Sequence, residues 1–383
     1  MKKLHPQNKA VKIMKKEKFV SIGKMHPLII DDERIIIFRH GKIYSYDIIS
    51  GAFSSVCNLK MPILKKVVSY SRIAERTLRI EPRCAVKFKE EGIVLSFAGA
   101  IYYINEKSKT SKIEHHFRTG MSNTLQLVPI CDIRGFADSI VYGEYWQNPN
   151  REAVRIFARS GGTWEPVFTF PAGTIKHVHG MISDRKRNCV YIFTGDDDKE
   201  SGIWVAKENF KSVEPLLIGN KNYRTCVGFA DESGLLIATD NPFETNFLRY
   251  IKLTEEGKVS TINDIMQING PCIYGTQWKN SLVFSTSVEQ DYTTERNLLI
   301  DVFSRKLGKG TKTDETVIYL GNMHAGFSEI VRYKKDMWPM GLCAFGTVKF
   351  PQEMNQDILC IYPISVKKFD GATVIYNQNI SEG

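Results

Sequence analysis

The feature that most constrains this chain is a recurring unit in which a tight turn delivers an aromatic residue and then a short outer strand. It stands at Gly51-Ala-Phe-Ser-Ser-Val, Gly161-Gly-Thr-Trp-Glu-Pro-Val, Glu208-Asn-Phe-Lys-Ser-Val and Ala325-Gly-Phe-Ser-Glu-Ile, and Trp164 and Phe210 are 46 residues apart. Between these units run short segments such as Arg34-Ile-Ile-Ile-Phe, Ile93-Val-Leu-Ser-Phe, Cys189-Val-Tyr-Ile-Phe and Leu282-Val-Phe-Ser-Thr, broken by Gly, Asn, Asp and Lys. Segments rich in β-branched and aromatic residues are strands. A period of roughly 40 to 50 residues is that of a four-stranded propeller blade. The expected fold is therefore all-β, a single β-propeller over residues 19–383, with seven blades and six longer ones as the alternative. Residues 1–18 are set apart as a basic tail. Pairing of a strand near residues 27–30 with the last blade near Thr373–Tyr376 is expected to close the ring, because closure removes two exposed sheet edges.

Charge narrows the partners. The net charge is +10. Residues 1–18 hold seven lysines against Glu17, and residues 60–89 hold nine basic residues against Glu75 and Glu81. Two local segments thus account for the excess, which argues against a nucleic-acid scaffold. The second contains the one strong helical pattern, an amphipathic insertion at about residues 61–80. At about 100° per residue, Lys65, Arg72, Arg76 and Arg79 share a stripe opposite Ile63, Val67, Tyr70, Ala74 and Leu78. Either the apolar face packs on the body and the basic face is solvated, or the basic stripe contacts an anionic membrane surface or polyanion. Eight scattered cysteines without a Cys-x-x-Cys pair are expected to be reduced, buried and cytoplasmic. Neither a membrane span nor an apolar segment after the N-terminal lysines is present, so no signal peptide or anchor is expected.

The segment Ser160-Gly-Gly-Thr-Trp, preceded by Val154-Arg-Ile-Phe-Ala-Arg, resembles a shortened Asp-box turn, the repeat of sialidase-like (BNR) propellers; the Asp-box aspartate itself is missing. Gly143-Glu-Tyr-Trp-Gln-Asn-Pro-Asn, His177-Val-His-Gly, Ala238-Thr-Asp-Asn-Pro and Phe284-Ser-Thr-Ser-Val-Glu resemble a subgroup of such propellers that accompanies bacterial surface-polysaccharide genes. The likeness spans most of residues 27–365. It implies the scaffold more than the hydrolase, because the sialidase set of three arginines, a Tyr-Glu pair and an acid/base Asp is not assignable. Phe38-Arg-His40 stands where an Arg-Ile-Pro motif would be expected.

In a propeller the first strand of each blade lines the channel, and function is sought where these strands begin. His177 and His179, two apart, should face the same way. They are candidates for acid/base chemistry or for a divalent metal, whose third ligand would come from Asp184, Asp196 or His324. Glu144, a carboxylate among aromatics, is the third catalytic candidate. Arg83 and Arg224 open strands and offer planar forks for the carboxylate of an acidic sugar. Trp146 and Tyr274, with Trp278 behind them, are the aromatic candidates for contact with a sugar ring. Asp196-Asp-Asp-Lys-Glu-Ser-Gly lacks the spacing of a calcium loop and reads as a solvated turn. Walker A, G-x-G-x-x-G, H-E-x-x-H and G-x-S-x-G motifs are absent. Two functions remain. One is a carbohydrate-active propeller, glycosidase or lyase, acting on an acidic polysaccharide, glycolipid or precursor. The other is a non-catalytic binding or assembly platform in polysaccharide synthesis, peripherally attached to the membrane.

Overall fold

The computed structural model describes residues 19–31, 33–89, 92–291, 302–351 and 358–376. The lysine-rich residues 1–18 lie outside them. Seven four-stranded antiparallel sheets form seven blades. In chain order the blades span residues 26–58, 84–116, 128–170, 177–218, 225–268, 272–334 and 347–376. All four turn-aromatic units of the sequence fall at the turn into an outermost strand, and Phe53, Trp164 and Phe327 lie at its start.

A propeller has no single core. Seven buried clusters occur, one at each junction between neighbouring blades, including one that joins Met25, Ile30 and Ile37 of the first blade to Cys360 of the last. Each blade therefore buries both faces only if both neighbours are present.

Closure corrects the expected register by one strand. Residues 27–30 belong to His26–Asp31, the inner strand of the first blade. The closing strand is Phe19–Gly23, which pairs with Thr373–Tyr376 as the outermost strand of the last blade. The reason is packing: Leu28, Ile29 and Ile30 are all buried, as an inner strand covered on both faces requires.

The insertion also departs from expectation. It forms two helices, α1 (Ile63–Val68) and α2 (Arg72–Thr77), broken at Ser69–Tyr70–Ser71, with Ser71 capping α2 through its side chain. A third short helix, α3 (Met340–Cys343), packs near α2. The expected polarity fails at two of the four stripe residues: Arg72 is half-buried and Arg76 buried against the body, while Lys65 and Arg79 stay exposed beside Ile63, Leu64, Val67, Tyr70 and Leu78, which are exposed too. Arg72 pairs with Glu75 at 2.8 Å, Glu81 at 2.9 Å and Asp370 at 3.2 Å. Arg76 donates to the Cys343 carbonyl at 2.9 Å and to Asp336 at 2.7 Å. Carboxylates supplied by distant loops thus hold the two arginines that helical periodicity assigns to a solvated stripe. Removing one partner of a buried ion pair strands the other, so Arg76→Ala is expected to cost about 3–5 kcal/mol. Lys65→Gln on the exposed side should shift stability by less than about 0.5 kcal/mol. Urea denaturation of both variants checks the contrast.

All eight cysteines are free thiols and seven are buried. Among the described residues no helix is long and apolar enough to cross a membrane.

Candidate functional site

The inner strands of the fourth, fifth, second and sixth blades begin around one end of the channel, and their first residues meet there. His177 and His179 lie on His177–Asp184, where a bulge between Val178 and Gly180 re-aims the chain. Gly180 is required by close approach: a Cβ there would sit 2.7 Å from the Cys226 carbonyl oxygen. Gly195, on the paired strand, has the same role, since a Cβ would meet the His179 ring at 2.5 Å. The backbone is thus cut away to seat an imidazole.

The His177 Nδ1 lies 2.7 Å from the Trp146 carbonyl. A carbonyl only accepts, so Nδ1 donates in this contact and Nε2 faces the neighbouring groups. That Nε2 is 3.0 Å from His179 Nε2 and 3.6 Å from Asp196 Oδ1, and His179 Nε2 is 3.1 Å from the same oxygen. Two ligands on one divalent ion with bonds of about 2.0–2.2 Å stand about 3.0–3.5 Å apart, so the triangle fits a metal. Trp146 supplies the outer contact that fixes the tautomer of such a ligand. Asp196 is further held by Lys176 at 2.7 Å and Arg224 at 3.3 Å. Burial alone would raise its carboxyl; the two imidazoles and the Arg224 charge override this and hold it far below the carboxylate range. Burial pushes the His179 ring below the ordinary histidine value, against the Asp196 carboxylate.

Behind this triangle Arg224 joins Asp196 to Asp240, also at 3.3 Å, and Cys226 Sγ lies 3.3 Å from Asp240. His179, Cys226 and Asp240 make a second group of potential metal ligands. Glu289 is raised by burial and by the charge of Asp240.

Across the channel Arg83 lies over the Tyr274 ring at 5.4 Å, and Lys349 lies over the same ring at 5.9 Å. Among the described residues no carboxylate forms an ion pair with either cation. Burial, with the charge of Arg83, pushes Lys349 down to about 7. His26, Arg83, Gln126, Tyr274 and Lys349 line a cavity of about 100 Å³. The Tyr145 ring lies tilted against His177 with centroids 4.3 Å apart, and burial raises its hydroxyl. Arg83 Nε, His179 Nδ1, Asp240 Oδ1 and His26 Nδ1 are buried without a hydrogen-bond partner. Most buried polar atoms are hydrogen-bonded, and these four lie around one channel. A larger open groove of about 960 Å³ lies at the opposite end of the fourth and fifth blades and is lined by solvated ions such as Lys186, Glu214 and Lys258; the titratable groups do not converge there.

Of the residues singled out in the sequence, the structure brings together His177, His179, Arg83, Arg224 and Tyr274. Asp196 joins them as the third metal-ligand candidate, against its reading as part of a solvated turn; its neighbours Asp197 and Asp198 do face solvent. Glu144 does not join. Its carboxylate accepts from the Arg155 backbone at 2.9 Å and guanidinium at 2.7 Å, with Arg118 at 3.6 Å, an ion pair that ties the blade together. The Trp146 ring is covered by Arg118 at 4.1 Å, leaving its carbonyl as its contribution to the site. Trp278 is buried in the core of the last two blades, Asp184 pairs with Arg187 at the far end of its strand, and His324 is exposed in a hairpin. Tyr145, Asp240, Glu289 and Lys349 were missed. Only the position of Lys349 at the end of an inner strand could have signalled it.

The fold and this cluster define the class: a seven-bladed β-propeller with a polar, partly unpartnered site at the channel mouth. No family model matches the chain, and no curated protein does. Among solved structures it resembles an oligogalacturonate lyase in complex with manganese, with a TM-score of 0.57 at 8% identity, covering 95% of this chain and 94% of that one. The AfRom2 CNH domain gives 0.52 at 7% identity, covering 93% and 97%. The extracellular domain of the putative hybrid two component system BT4673 from B. thetaiotaomicron gives 0.52 at 10%, covering 95% of this chain and 43% of that one. At these identities the likeness is one of fold.

Proposed function

We propose that this chain is a carbohydrate-active propeller that takes the carboxylate of an acidic saccharide into the channel mouth and is laid out for elimination rather than hydrolysis. The observation that carries the reading is Arg83: a half-buried guanidinium over the Tyr274 ring, beside the buried Lys349, with no described carboxylate paired to it. Such a pair favours an incoming anion, and a planar carboxylate matches the guanidinium fork. Elimination needs three things: charge to neutralise the carboxylate, a base for the proton on the adjacent carbon, and a proton for the departing oxygen. Arg83 serves the first. Lys349, partly neutral near pH 7, serves as the base, and Tyr145 is the donor for the leaving oxygen. The C–O bond to the neighbouring sugar breaks as the C–H pair moves in, and no water is consumed. A divalent cation on His177, His179 and Asp196 would supply Lewis-acid polarisation of the bound carboxylate. Hydrolysis by a carboxylate pair is less suited, since Asp196 and Asp240 are both engaged by Arg224. The likeness to a lyase propeller supports this reading at the level of scaffold.

The test offers oligouronates with Mn²⁺ and follows both binding and the ultraviolet absorbance of an unsaturated product. Arg83→Gln should weaken binding roughly 10- to 100-fold, the range for a hydrogen bond to a charged group. Lys349→Met should abolish product while binding persists, and the parental rate should rise as pH climbs through about 7. Equal binding of neutral and acidic oligosaccharides would overturn the reading; binding without product would leave the platform.

A further inference from the structure

We infer that the helical insertion, together with Met337 and Trp338, is a docking surface for an anionic lipid bilayer that turns the channel mouth toward the membrane. Ile63 is 81% exposed, Leu64 75%, Tyr70 68% and Val67 63%. Lys60, Lys65, Lys66 and Arg79 are exposed among them. The acidic residues of this stretch are withdrawn: Glu75 binds Arg72, and Glu81 binds Arg72 and accepts from the Tyr362 hydroxyl. The exposed side of residues 60–79 is therefore apolar and basic, with no acidic side chain on it. That is the chemistry of an interfacial segment, whose apolar side chains enter the acyl boundary while lysines reach phosphates.

The surface is held from beneath, because Arg72 and Arg76 bolt α2 to Asp370 and Asp336. Asp336 also accepts from the Trp338 backbone at 3.0 Å, which sets exposed Met337 and Trp338 on the loop that anchors Arg76. Topology supplies the orientation. The insertion links the outer strand Phe53–Asn58 to the inner strand Cys84–Lys87, so it crosses the face at which inner strands begin, and Arg83 follows it directly. The charge of Arg79 reaches Tyr274 in the channel wall. Charge complementarity selects an anionic bilayer over a neutral one or a second copy, whose matching patch would be equally basic.

The experiment uses the full chain and vesicles of phosphatidylcholine with or without phosphatidylglycerol, in the absence of saccharide, so that its outcome is independent of the site chemistry. The parent should co-sediment with the anionic vesicles alone. Changing Ile63, Leu64 and Val67 together to Ser should lower binding at least roughly tenfold at every salt concentration. Lys65→Gln with Lys66→Gln should lower it roughly thirtyfold at low salt and little at high salt. Brominated acyl chains should quench a component of tryptophan emission that Trp338→Phe removes. These side chains are exposed, so each variant should melt with the parent; a large fall in melting would mean that the face is packed and would overturn the inference. Equal binding to neutral vesicles, unchanged binding by the Ser variant, or a parental dimer that the Ser variant dissociates would overturn it too.

Discussion

A chain ending at Ile364 is expected to lose the whole domain rather than one blade. The deletion removes Thr373–Tyr376, which bridges Leu359–Ile364 to Phe19–Gly23. It takes Val366, Ala372 and Val374 from the core between the sixth and last blades, about 4–5 kcal/mol of apolar burial. It also takes Asp370, the partner of Arg72 and Arg76. Total stability of a folded domain is about 5–15 kcal/mol, so the loss is of comparable size. Because each blade shares a core with both neighbours, opening the ring at one junction exposes two blade faces and weakens the rest cooperatively. The expected result is loss of near-ultraviolet circular dichroism and of any cooperative melting transition. Melting at the parental midpoint would show that the ring does not depend on this strand.

Acid should destabilise the protein through His26 by about 5 kcal/mol at pH 3. This ring is buried and stacks on Tyr362 at 4.2 Å. Burial lowers it to about 3, with the charges of Lys349, Arg72 and Arg83 acting the same way against Glu81. The unfolded value is 6.5, so the unfolded chain binds the proton first as pH falls. The stabilisation is therefore complete above pH 6.5 and is lost progressively toward pH 3. About 2–3 kcal/mol of it falls between pH 6.5 and 4.5, before ordinary carboxylates titrate. Glu75 and Glu289, raised by burial, act with the opposite sign in that window. The readout is accordingly the difference between parent and His26→Gln in urea midpoints across the window. The variant should be flatter by about that amount, and superimposable profiles would exclude His26 as the source.

The propeller could be read because its information is local. A strand needs alternating or continuous β-branched residues, a hairpin needs Gly or Asn at a left-handed turn, and a blade repeats both at a short period. Gly51, Gly161, Gly162 and Gly326 adopt the positive φ values that such turns require. His177 and His179 were legible for the same reason, two residues apart on one strand beside a glycine that admits a neighbouring backbone. Arg83 and Arg224 were found by their place at the starts of inner strands.

What the sequence could not determine was whatever depends on a partner that only the folded chain brings close. Glu144 looks like a catalytic acid in its own segment, and only the fold brings Arg155 and Arg118 against it. Asp196 is one of three acidic or imidazole candidates to join the two histidines, and only the folded blade selects it over Asp184 and His324. The insertion is the sharpest case. Helical periodicity identifies two faces but not which is buried, because burying arginines is unfavourable unless carboxylates await them. Asp336 and Asp370, some 260 and 294 residues away from Arg76 in sequence, decide the matter. The sequence alone thus determined the repeat, the channel-lining strands and the first residues of the site. Tertiary structure decided which strand closes the ring, which charges are neutralised and which cations are left without a carboxylate, since electrostatic pairing across a ring is set by distance in space and leaves no period in the chain.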